Sequence, residues 1–159
     1  MKDELRTILT NALEKCYQQG KKHMEETGGH PALIVLLFKD RVETIDLSMY
    51  IEDKELMAMM KQAYIEKDGV NGTIFMSEAW VLKLDKDSAE GKRLAEGKEP
   101  TLKPSESPDR EEVLFFLAEA PGGSLAANAP IIRDGDKTTL GPLEMTGDNT
   151  EVTGRLTKN

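Results

Sequence analysis

The chain has 159 residues, a formal net charge of −8 and a pI near 4.9. It is long enough to bury roughly two thirds of its unfolded surface around one core. It is also too acidic to suit a phosphate backbone, which calls for Lys and Arg gathered on one face. Cys16 is the sole cysteine, which excludes an internal disulfide and a thiolate metal cluster.

The opening MKDELRT lacks a charged-then-apolar signal pattern, and no apolar run approaches the ~20 residues of a membrane helix. A cytoplasmic protein with neither membrane nor nucleic-acid partner is expected.

Residues 3–24 place Leu5, Ile8, Leu9, Ala12, Leu13, Cys16 and Tyr17 at steps of three and four, the signature of an amphipathic helix. Cys16 falls on the apolar stripe, so it reads as a buried, inert thiol. Gly28, Gly29 and Pro31 end the helix. Residues 32–38, ALIVLLF, are continuously apolar and too short for a buried helix, hence an interior strand. Lys39, Asp40 and Arg41 turn the chain, and residues 42–47 return as a strand of mixed polarity nearer an edge.

Glu52, Asp53 and Glu55 then put negative charge where a helix N-terminus favours it. Leu56, Met57, Met60, Ala63 and Tyr64 follow at helical spacing, and Asp68-Gly69 supplies the stop. This second helix should lie across one face of a sheet. Met49, Met57, Met59 and Met60 are expected mainly as core gap-fillers.

Residues 73–84, TIFMSEAWVLKL, are organised at a period of two, with both faces largely apolar as in a strand covered on both sides. Glu78 and Trp80, the chain's only tryptophan, share one face two residues apart. From residue 85 to 110 the composition changes abruptly to half charged, with three prolines, which reads as a long charged loop, mobile or acting as a flap. Its end, Ser107-Pro108-Asp109-Arg110, has the pattern of one ordered turn.

Residues 111–120 form the next strand. A tight connection at 120–123 leads to a strand over 125–133, in which Pro130 marks a position without a ladder partner on its amide side. Asp134-Gly135 signals a hairpin into residues 137–143. Residues 144–159 are polar, a C-terminal tail or a weak last strand. With the connection centred on Gly122-Gly123, Glu112 falls opposite Arg133 as a cross-strand ion pair.

The sum is a single α+β domain over residues 1–143, a mainly antiparallel sheet of about six strands with two helices in the order α-β-β-α-β-β-β-β.

Enzyme signatures are scarce. No glycine-rich phosphate loop, serine elbow or Cys/His nucleophile pattern occurs. His23 and His30 are seven apart, one at a helix end and one in a Gly-Gly-His-Pro turn. They read as surface histidines, because a zinc site would need acidic ligands from elsewhere. No cofactor and no metal are expected.

What remains is Glu78, Trp80, Asp109, Arg110 and Glu112, with Glu111 beside them. A carboxylate next to an indole needs either a partner such as Arg110 or a raised pKa, the basis of a general acid. Pairing Leu84 with Glu111 would set Glu78 opposite Leu117, away from Arg110.

Ser77-Glu78-Ala79-Trp80, the run Pro104-Ser105-Glu106-Ser107-Pro108-Asp109-Arg110-Glu111-Glu112-Val113, then Ile131-Ile132-Arg133 and Leu140-Gly141-Pro142-Leu143 together resemble a group of small uncharacterised bacterial and phage-encoded proteins. The resemblance covers residues 31–143. It implies a shared architecture and makes the Glu78–Trp80 and Pro108–Glu112 segments the shared positions, without implying an activity.

The chain therefore reads as a protein-interaction or self-associating module, joined through an open sheet edge or the Met-rich helix. The rival reading is a small hydrolase or ligand-binding enzyme using Glu78 and Arg110 under the 85–110 loop.

Overall fold

A computed structural model describes residues 1–50, 52–82, 96–97 and 110–148. Two helices, α1 (Asp3–Thr27) and α2 (Lys54–Ile65), lie on opposite faces of an antiparallel sheet. Its strands are β1 (Leu33–Leu37), β2 (Val42–Asp46), β3 (Gly72–Leu82), β4 (Arg110–Ala120), β5 (Gly123–Asp134), β6 (Lys137–Leu140) and β7 (Glu144–Asp148). The order across the sheet is β2-β1-β3-β4-β5-β6, with β7 also paired to β5. The α+β class and the element order match the reading from sequence, and the residues after Leu143 add a seventh strand.

Helix α1 begins with Asp3 and Glu4 in its first turn, favourable against the helix dipole, and ends at Gly28 in the left-handed conformation, whose N–H donates to the Met24 carbonyl at 2.8 Å. Leu9, Leu13, Cys16, Tyr17, Gly20 and Met24 are its buried residues. They meet Ile74, Met76, Leu114, Phe116, Leu125 and Leu140 from the sheet. Ile8, expected on the stripe, lies at its margin and is half exposed.

Gly20 sets how closely the helix seats. A Cβ there would stand 3.1 Å from Leu114 Cδ2 and 3.3 Å from Met76 Cε, so a side chain would push helix and sheet apart.

The other face is built on Phe75, Phe115, Ile34, Leu36 and Leu47, with Met57 entering from α2. Asp53 caps α2 by accepting from the Leu56 N–H at 2.9 Å. The methionine expectation holds for Met57, which is buried, and in part for Met60, which is half-buried, but not for Met49 and Met59, which are 89% and 68% exposed. The sheet on that side is covered instead by Tyr50, Tyr64 and Phe38.

Two registers differ from the sequence reading. β3 and β4 pair Leu82 with Arg110 and Glu78 with Leu114, a shift of three residues from the Leu84–Glu111 alignment. An odd shift changes the face that each side chain shares with its neighbours. Arg110 is accordingly a strand residue and not part of a turn. Ser107 to Asp109 and all of the 85–109 loop except Glu96 and Gly97 lie outside the described residues.

Between β4 and β5, Ala120 pairs with Gly123, so Pro121-Gly122 forms the turn, two positions from the expected register. Pro130 falls where β5 changes partner: residues 125–128 pair with β7 and 131–134 with β6. Its carbonyl accepts from Gly141 N–H at 2.8 Å, and the Gly141 carbonyl, to which a proline cannot donate, accepts from the Tyr17 hydroxyl.

Candidate functional site

The even-numbered residues of β3 and β4 share the α1 face, so the observed register brings Glu78, Trp80, Arg110 and Glu112 to one end of that face. Trp80 lies opposite Glu112, and the Arg110 guanidinium sits 4.6 Å above the Trp80 ring, a cation–π contact. Asp109 lies outside the described residues.

Arg133 of β5 occupies the centre of this end. Its Nε donates to Glu112 Oε1 at 2.6 Å and its Nη2 to Glu78 Oε1 at 3.4 Å. Its Nη1 donates to the Gly28 carbonyl at 2.9 Å and to Thr138 Oγ1 at 3.3 Å. One guanidinium thus joins β3, β4, β6 and the end of α1, using the fixed fork of donors that distinguishes Arg from Lys.

The last turn of α1 holds no basic residue of its own, so Arg133 brings a cation to the negative end of that helix from across the sheet. The Glu112 and Glu78 side chains are 11% and 20% exposed, and that of Arg133 43%.

The Glu112–Arg133 pair forms although the register does not place the two directly opposite. An even shift keeps both on one face, and diagonal neighbours are roughly 7–8 Å apart, within reach of an arginine. The sequence reading missed the link from Arg133 to Glu78, which depends on the β3–β4 register.

A second grouping lies where α1 ends and β1 begins. Cys16, Gly20 and His23 from α1, His30 from the connection, Val35 from β1 and Met76 from β3 line a cleft of about 190 Å³. His23 and His30, separated in sequence, have ring centres 5.3 Å apart and planes inclined at 74°. Neither is fully exposed, so the expectation of two surface histidines is corrected: the turn at Gly28-Gly29 folds His30 back onto the helix.

Burial lowers the His30 pKa below the ordinary imidazole value, opposed by its hydrogen bond to the Pro31 carbonyl and aided by His23. Burial pushes the Cys16 thiol up to about 11, the inert state expected for it. Among the described residues, no group of three or more His, Cys, Asp and Glu is arranged to hold a metal ion, and no helix is long and apolar enough to cross a membrane.

No curated protein and no solved structure matches the chain. The resemblance to phage-encoded proteins finds support at the level of the family, because the model described as bacteriophage lambda protein ea47 matches residues 1–154. With nearly its whole length covered, the chain belongs to the family of bacteriophage lambda protein ea47.

Proposed function

We propose that the protein works by contact with a second copy of itself, pairing edge to edge through β2. The observation that carries this reading is the state of that strand. β2 pairs with β1 alone among the described residues, so one row of its backbone groups has no strand beside it.

The direction of that row follows from the ladder. The Arg41 carbonyl and the Leu47 N–H both bond toward β1, and the β1–β2 register runs without a bulge. Residues 43 and 45 therefore also face β1, and Val42, Thr44 and Asp46 turn their N–H and C=O groups outward. A second β2 related by a twofold axis would place Thr44 opposite Thr44, with the outward residues of both strands meeting as hydrogen-bonded pairs.

The two charges of β2 are both engaged within the chain, Glu43 by Arg41 and Lys67 and Asp46 by the Ser48 N–H, and the strand has neither a proline nor a bulge to turn a partner away. Val42 is 63% exposed, and Met49, Leu56 and Met59 are further large apolar residues left exposed in the segment that follows β2. The single buried cysteine fits a reducing, cytoplasmic setting. The engagement of Glu78 by Arg133 supports reading that corner as a brace holding α1 to the sheet, rather than as a reacting carboxylate paired with Arg110.

Thr44→Pro tests the proposal, because it removes an outward N–H and leaves the β1 ladder intact. Light scattering on the wild-type chain should give a dimer, and on the variant a monomer that circular dichroism shows to be folded, with a melting temperature that no longer depends on protein concentration. A monomeric wild type, or a variant that stays dimeric, would overturn the reading.

A further inference from the structure

We infer that His23 and His30 form an open two-histidine site for a late first-row divalent cation of the Zn²⁺, Ni²⁺ or Cu²⁺ class, with water completing the coordination. The inference is independent of the self-association proposed above.

Geometry comes first. Two imidazoles sharing a metal at ~2.0–2.1 Å per nitrogen, with a near-tetrahedral angle between them, hold their ring centres roughly 5 Å apart. His23 and His30 are 5.3 Å apart with an interplanar angle of 74°.

The tautomer of His30 is settled by its partner. Its Nδ1 lies 2.8 Å from the Pro31 carbonyl, and a carbonyl oxygen can only accept, so Nδ1 carries the proton and the neutral ring presents an unprotonated Nε2. A ligating histidine held through its other nitrogen by a backbone carbonyl is the usual outer arrangement at metal centres, and it fixes the ring while raising its basicity. No other hydrogen bond engages His30 Nε2 or the His23 ring among the described residues.

The surroundings select the class of ion. The cleft is lined by Cys16, Gln19, Met76 and Thr44 besides the two rings, with no carboxylate. Imidazole suits Zn²⁺, Ni²⁺ and Cu²⁺, whereas Mg²⁺ and Ca²⁺ want carboxylate oxygens. Cys16 is not counted as a ligand, because its buried thiol stays protonated.

The chain has only two histidines, which makes the test direct. Untagged wild-type protein is titrated with NiCl₂ while its imidazole carbon-bound proton signals are followed by NMR. Both sets of ring signals should broaden together at substoichiometric nickel, and calorimetry with ZnCl₂ should give one ion per chain. His23→Gln and His30→Gln should each weaken zinc binding by about 10-fold to 100-fold or more.

Broadening of one ring alone, of neither, or of the amino terminus in preference to both would overturn the inference. So would a folded variant that binds zinc as tightly as the wild type. The NMR experiment uses only the wild-type chain, so a variant that fails to fold does not protect the proposal.

Discussion

The two faces of the sheet are held in different ways. On one, α1 lays 25 residues across the strands and buries six of them. It is then fastened at specific points: the Tyr17 hydroxyl donates to the Gly141 carbonyl at 2.6 Å, Thr139 donates to Glu25 at 3.1 Å, and Arg133 grips the Gly28 carbonyl.

On the other face, α2 has 12 residues and buries Met57 alone. Lys61 adds a looser tie, lying 4.6 Å over the Phe75 ring and 3.9 Å from Glu119, with burial drawing its pKa down. A helix anchored by packing and directional bonds is part of the scaffold. A helix with one fully buried side chain, helped by the half-buried Tyr64, leaves the exposed Leu56 and Met59 available to another surface.

The largest effect that tests this contrast is in the core. Leu13→Ala should destabilise the fold by about 3 kcal/mol, because a fully buried leucine leaves a cavity that the rigid α1–sheet interface cannot close. Met57→Ala should cost less, about 2 kcal/mol, since α2 can settle toward the sheet. Urea unfolding of both variants measures the difference, and an equal or larger loss for Met57 would erase the contrast.

Next comes the fastening at the end of α1. Arg133→Met removes several charged hydrogen bonds, those to Glu78 and Glu112 among them. The expected loss is about 2 kcal/mol, below the figure for a fully buried pair because the guanidinium is partly in solvent. A double-mutant cycle with Glu112→Gln should return a coupling of about 1 kcal/mol. No coupling would mean that Arg133 acts through Gly28 and Glu78 instead.

The smallest effect is in pH. The folded pKa of His30 is lowered, chiefly by burial, so the unfolded chain binds the proton more readily. That contribution to stability is complete above the ordinary imidazole value of 6.5 and is lost as pH falls from there through the lower folded value. His23, facing it across the cleft, adds repulsion in the same direction. His30→Gln should flatten the melting-temperature profile between pH 7 and 5, and an unchanged slope would assign the dependence to other groups.

The period-two segments and the helical spacing of α1 made most of the architecture legible. The register between β3 and β4 was not. Residues 111–120 are apolar on both faces, so the alternation that normally tells a strand's two sides apart is missing, and a long connection imposes no alignment of its own. Hence Glu78 could be paired by type with an arginine but not with the right one.

Arg133 itself was found only as the partner of Glu112, because that pair depends on a short turn where an error of two positions preserves the face. Gly20 and the meeting of His23 with His30 left no periodic trace: the first is a matter of clearance between helix and sheet, and the second of how sharply the chain reverses after Gly28.

The change of partner at Pro130 also limits growth. With β5 handing its outer side from β7 to β6 at a residue that cannot donate, that margin of the sheet is split between two strands with a break between them, so no single continuous ladder is offered to an incoming strand. Only the β2 margin is continuous among the described residues. A subunit with one usable border closes into a pair and stops there, whereas one with two would stack into fibres.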